Sequence, residues 1–104
     1  MKKRLMKSVN ELVSQELKMA NTNFPPFNSR HEGYAVLLEE VEEAEWDMEA
    51  VRSATDSLWH AIKRDMPIPV AGVKNYAVRL ACEAIQVAAM CDKFSDFKDS
   101  KETK

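Results

Sequence analysis

From Tyr34 to Met66 the chain contains neither glycine nor proline, and a proline-bearing break bounds the stretch on each side: NTNFPPFNS at 21–29 and MPIPVAG at 66–72. Prolines stop helices and stiffen connections. No strand-like alternation, internal repeat or low-complexity segment occurs anywhere in the sequence. The chain is therefore bound to an all-α fold, with helices on either side of each break. The long middle segment reads as one helix or as two. Ser53-Ala54-Thr55-Asp56 offers a second start, and a joint near Arg52–Ser53 is the preferred reading.

The middle segment opens on Ser29-Arg30-His31-Glu32, the form of a capping box in which Ser29 and Glu32 satisfy each other's free amides. Before it, residues 4–20 are amphipathic: Leu5, Val9, Leu12, Val13 and Ala20 share a face at helical spacing. Glu16 falls inside that face. It either reaches solvent past the helix edge or points into a site. After the second break, Val73–Phe94 is apolar nearly all round, which predicts a helix buried on several sides. Its polar strip, with Asn75, Arg79, Glu83, Gln86 and Lys93, needs partners, because unpaired burial is costly.

The expected architecture is a compact all-α bundle of about four helices completed by oligomerisation. Residues 1–94 form one helical domain and 95–104 a polar C-terminal tail. Tyr34, Leu38, Trp46 and Trp59 include apolar residues off the main stripes and are candidates for a subunit interface.

A net charge of −2 argues against a generic nucleic-acid binder. The basic opening MKKRLMKSVNELV is interrupted by Lys7, Asn10 and Glu11 before a signal-peptide apolar core forms. No apolar run approaches membrane-spanning length. A cytoplasmic protein is expected. Cys82 and Cys91 lie nine residues apart on one helix, on opposite sides and about 13 Å apart along the axis. They cannot bridge each other there, and both read as buried small hydrophobes.

Leu37–Glu49, LLEEVEEAEWDME, carries seven acidic side chains and no base. Like charges three and four residues apart repel by a few tenths of a kcal/mol per pair. On a helical wheel, Leu37, Val41, Ala44, Met48 and Val51 form the core stripe, and Glu42, Glu45 and Glu49 lie opposite. Glu40, Glu43 and Asp47 make a ridge beside the stripe, with Glu39 one step further out. Such carboxylates, brought against Glu83 on a buried helix, are what Mg²⁺ requires: oxygen ligands that leave room for water and substrate phosphates. The other reading is a solvated edge, since acidic helices are common. A di-iron bundle fails, because it needs Glu-x-x-His pairs, whereas His31 and His60 follow Asn28 and Ser57 at that spacing. Both histidines read as surface or packing residues. No phosphate loop, thiol–imidazole pair or zinc spacing appears.

HEGYAVLLEEVEEAEWD followed by ACEAIQVAAMCDKF resembles the MazG-like all-α NTP pyrophosphohydrolase superfamily, over roughly Phe27 to Phe94. The resemblance implies helical bundles, dimeric or tetrameric, that use Mg²⁺ (or Mn²⁺) to cleave a nucleoside triphosphate to monophosphate and pyrophosphate. The first family motif, E-x-x-E, falls on Glu40 and Glu43. The second, E-x-x-D, falls on Glu83 and Gln86, with about 39 residues between the motifs. Short single-domain relatives of phage or mobile-element type resemble this chain in carrying E-x-x-Q.

The resemblance implies Glu40, Glu43 and Glu83 as metal ligands and catalytic acids, with Gln86 a weak ligand or a water binder. A neutral amide offers an oxygen but no charge and no base. Glu16, Glu39 and Asp47 are candidates for the missing acid. Arg79 or Lys74 would meet phosphate oxygens, unless Arg79 simply pairs with Glu83. The alternative is a non-catalytic helical module that kept the fold and binds a nucleotide or a protein.

Overall fold

The computed structural model describes residues 2–98. It is all-helical, with α1 (Lys2–Asn23), α2 (Arg30–Lys63) and α3 (Val70–Ser95) and no strand among the described residues. The polar tail expected at 95–104 begins on the last residue of α3, and 99–104 lie outside the described residues. Among the described residues, no helix is long and apolar enough to cross a membrane.

The described residues form three helices rather than about four, because the expected joint at Arg52–Ser53 does not occur. α2 runs unbroken for 34 residues, about 51 Å. The Thr55 hydroxyl, instead of starting a helix, donates to the Val51 carbonyl one turn back at 2.8 Å. A mid-helix threonine commonly places its hydroxyl this way.

The ends of α2 are set locally. Ser29 is extended (φ −157°, ψ 165°), and its side chain accepts from the Glu32 N–H at 3.1 Å. The return half of the expected capping box is shifted by one residue. Glu32 Oε1 accepts from the Asn28 N–H at 3.1 Å, and Oε2 from Asn28 Nδ2 at 3.2 Å. At the other end the Asp65 N–H reaches the Ile62 carbonyl and the Met66 N–H reaches the Ala61 carbonyl. These are the two bonds of a Schellman motif. Asp65 occupies its left-handed position at φ 53°, and Pro67 prevents continuation.

α2 and α3 pack antiparallel, with Gly33 beside Phe94 and Asp47 beside Arg79. α1 packs on α3 in the same direction as α3, with Glu16 beside Gln86 and Phe24 beside Lys93. Gly33 permits the close approach at the end of the bundle, where a Cβ would lie 2.9 Å from the Phe94 ring. That ring is held edge-on by Phe27 (centroids 6.0 Å) and Phe97 (6.5 Å).

A single chain buries little. Among the described residues, Val13, Phe27 and Ala89 are the buried apolar ones, and no large side chain is fully enclosed. The shape is elongated rather than compact: 68 × 29 × 22 Å with a radius of gyration of 18.1 Å, where a compact chain of this length has about 13 Å. The expectation that α3 is buried on several sides therefore fails for one copy. α1 and α2 cover two sides and leave a third open. Cys82 and Cys91, expected to be buried, are exposed for the same reason.

Candidate functional site

The ridge on α2 faces the polar strip on α3. Glu40, Glu43 and Glu83 each offer a carboxylate oxygen, and the three oxygens lie within 4.8 Å of one another. Antiparallel packing makes this happen, because the i, i+3, i+7 side of α2 is the side that meets α3. Glu40 Oε2 and Glu83 Oε2 are out of contact with water and have no hydrogen-bond partner.

The electrostatics follow from that geometry. Burial, first, and then the charges of Glu43, Glu83 and Glu39 push the Glu40 carboxyl above its ordinary value. Burial likewise raises Glu83, followed by the Glu43 carboxylate at hydrogen-bonding range and the charge of Asp47; Arg79 acts in the opposite sense. The site thus concentrates negative charge that one nearby guanidinium offsets in part.

Asp47 is 8% exposed and forms an ion pair with Arg79, Oδ1 to Nε at 3.7 Å. The base on the Glu83 helix therefore pairs with Asp47, rather than with Glu83 as its spacing allowed. The Arg79 side chain is otherwise open to solvent and lies 6.0 Å from the Tyr76 ring centroid. Lys74 is exposed on the first turns of α3, about 13 Å of helix rise before Glu83, so the fold does not bring it to the acids. Glu39 is exposed and acts on Glu40 through its charge.

On the opposite flank, Gln86 Nε2 donates to Glu16 Oε2 at 3.5 Å. Glu16 is half-buried and faces α3. Glu16, Gln86 and Glu40 together line one side of a cleft of about 550 Å³ between the three helices and the α1–α2 connection. Met19, Phe24, Phe27, Val36 and Met90 supply its apolar walls. Lys93, 6% exposed, closes the floor, with Nζ 5.0 Å from the Phe27 ring centroid and 5.9 Å from that of Phe24.

The cleft was not foreseen from the sequence. Lys93 stood in the polar strip and so needed a partner, but the aromatic partners come from the proline-bearing break, whose path local periodicity does not encode. His31 and His60 are exposed and lie outside the cluster.

Chemically, the arrangement offers hard oxygen ligands beside an apolar, aromatic slot with a buried cation. Scans against protein-family models, curated proteins and solved structures give no match to this chain. The functional reading therefore rests on the residues themselves.

Proposed function

We propose that the chain is a MazG-like nucleotide pyrophosphohydrolase, taking Mg²⁺ or Mn²⁺ at Glu40, Glu43 and Glu83 and splitting a nucleoside triphosphate to monophosphate and pyrophosphate. The observation that carries this reading is the pair of buried, unpartnered oxygens on Glu40 and Glu83, converging with Glu43 within 4.8 Å. Buried anions without partners are costly, and an oxygen-seeking divalent cation fits this donor set.

Such an ion, when bound, neutralises charge on the polyphosphate and activates water. The chain's own residues do the rest. Glu16, fixed by Gln86 at the edge of the cleft, supplies a carboxylate next to the position where the motif has lost one, and it can orient or deprotonate water there. Asp47 holds Arg79 beside Glu83 with its guanidinium free to meet a phosphate oxygen. Phe24, Phe27, Met19 and Met90 offer apolar walls to a base, and Glu40 lines both the slot and the acid cluster. A ligand with a flat ring at one end and anionic oxygens at the other suits that continuity.

Gln86 favours a second reading, a nucleotide-binding module without turnover, because an amide neither adds charge nor takes a proton. Pyrophosphate release from a panel of nucleoside triphosphates with Mg²⁺ or Mn²⁺ separates the two. The first reading expects release that is lost in Glu40→Gln and Glu83→Gln. A thermal shift requiring both metal and nucleotide, without release, supports the second. No release and no shift removes both and leaves the acids as a solvated ridge.

A further inference from the structure

Gln86, Ala89, Met90 and Lys93 line the cleft along one face of α3, because i, i+3, i+4 and i+7 fall together on a helix. Gln86 marks the end where Glu16 and Glu40 stand, and Lys93 lies about 10 Å of helix rise beyond it. Glu83 is about 15 Å of rise from Lys93. Phosphates drawn to the acid cluster would therefore lie at the opposite end of the cleft from this lysine.

Lys93 is 6% exposed, yet its ammonium has no oxygen partner among the described residues. Its neighbours are ring faces, with Nζ 5.0 Å from the Phe27 centroid and 5.9 Å from that of Phe24. The acids that share the cleft are engaged elsewhere. Glu32 accepts twice from Asn28, Glu16 accepts from Gln86, and Glu40 belongs to the acid cluster. A ring face attracts the charge, but an ammonium carries three N–H donors and no acceptor. Burying such donors without acceptors is costly. The acceptor has to arrive with the ligand, on its flat ring and at the end remote from its phosphates.

The bases differ at that edge. Guanine carries the O6 and N7 acceptors there, and uracil and thymine carry O4. Adenine and cytosine carry an amino group, which would meet the ammonium donor to donor.

We propose that Lys93 reads the base, donating to O6 or O4, and that the chain takes 6-oxopurine and 4-oxopyrimidine nucleotides in preference to their amino counterparts. This inference rests on the nucleotide reading above and names its substrate class. Lys93 is then a specificity-determining residue, remote from the metal ligands.

Calorimetric titration of the full chain, with Mn²⁺ and triphosphates made non-hydrolysable between the α- and β-phosphates, tests it. Guanosine is expected to bind about tenfold or more tighter than adenosine, and uridine likewise tighter than cytidine. Inosine, which keeps O6 but lacks the 2-amino group, is expected to bind with guanosine. Lys93→Met keeps the apolar stem and removes the donors, and is expected to level both pairs. Lys93→Gln offers an acceptor beside a donor, the pattern that fits adenine, and is expected to shift the purine preference toward adenosine. A variant that had merely lost its fold would gain no ligand, and circular dichroism checks helix content. Equal binding within both pairs by the wild type overturns the inference and leaves the pyrophosphohydrolase reading standing. A preference that survives Lys93→Met also overturns it, because the base is then read elsewhere. Failure of every nucleotide to bind in the presence of metal removes the nucleotide reading, and this inference with it.

Discussion

Gln86 on α3 donates its amide to the Glu16 carboxylate on α1 at 3.5 Å, a contact that joins positions 70 residues apart. It sets a neutral side chain and an acid against each other in the cleft that Glu40 also lines. Gln86→Glu places two anions together there. The metal-free protein is expected to lose about 0.5–1 kcal/mol, as exposed like-charge pairs do. Its Mn²⁺ affinity is expected to rise roughly tenfold with the added ligand charge. Adding Glu16→Gln exchanges the two groups and should return both quantities toward wild type. Denaturant midpoints and metal titration by calorimetry read the two effects separately.

The raised carboxyls of Glu40 and Glu83 give metal-free stability a definite sign with pH. The native state holds these protons more tightly than the unfolded chain does. Between the ordinary value of 4.5 and the raised native values, the unfolded state has released protons that the native state keeps. Stability therefore falls as pH rises through that window, and the loss is fully present above it. Urea unfolding of wild type and of the Glu40→Gln, Glu83→Gln double variant is expected to show the variant more stable at pH 7.5. The advantage should shrink as pH approaches 4.5. An advantage that stayed constant over this range would contradict the burial of these acids.

The part of the site legible in the sequence was the part set by one helix at a time. Glu40, Glu43 and Asp47 share a ridge by i, i+3, i+7 geometry whatever α2 packs against, and Glu83 stands in the polar strip of an apolar helix. The misjudged features depend on context that periodicity lacks. Ser53-Ala54-Thr55-Asp56 has the side chains of a helix start, yet the same hydroxyl serves equally well by bonding back to Val51. Cys82 and Cys91 follow the pattern of a buried helix, but one chain supplies too few helices to cover α3. The cleft needs three crossing elements and a loop that periodicity does not trace, so Phe24, Phe27 and Lys93 stayed out of view as site residues.

The two glycines should answer an alanine substitution with opposite signs. At Gly33 a Cβ would meet the Phe94 ring at 2.9 Å, and Phe27 and Phe97 keep that ring from turning aside. Overpacking of this kind costs about 1–3 kcal/mol, against roughly 1 kcal/mol gained in helix propensity. Gly33→Ala is therefore expected to lower the denaturant midpoint. At Gly72 the added Cβ meets nothing within 4 Å, so Gly72→Ala keeps the propensity gain of up to about 1 kcal/mol.

Asp65 closes the Schellman motif of α2 at φ 53°, a conformation that glycine adopts without the Cβ conflict. Asp65→Gly is expected to stabilise the fold by about 0.5 kcal/mol, after part of the gain is lost to the greater freedom of an unfolded glycine. Asp65→Val, with a branched Cβ in the left-handed region, is expected to destabilise by about 1–2 kcal/mol. Thermal unfolding of the two variants beside wild type gives both signs in one experiment.

On the proposed nucleotide reading, Phe24 would separate ring recognition from metal binding. It stands at the cleft edge, largely exposed, with Lys93 Nζ 5.9 Å from its ring centroid, and it is not one of the three clustered acids. An aromatic platform contributes about 1–3 kcal/mol to stacking a base. Phe24→Ala is thus expected to weaken a non-hydrolysable nucleoside triphosphate about tenfold or more and to leave Mn²⁺ binding unchanged. Phe24→Trp should retain the nucleotide. Glu83→Gln should do the reverse of Phe24→Ala, abolishing the metal response while leaving the slot intact for a nucleoside without phosphates. Titration of each variant with metal alone, nucleoside alone and both together resolves the slot from the acids. Equal loss of all three in Phe24→Ala would mean that the ring supports the fold rather than the base.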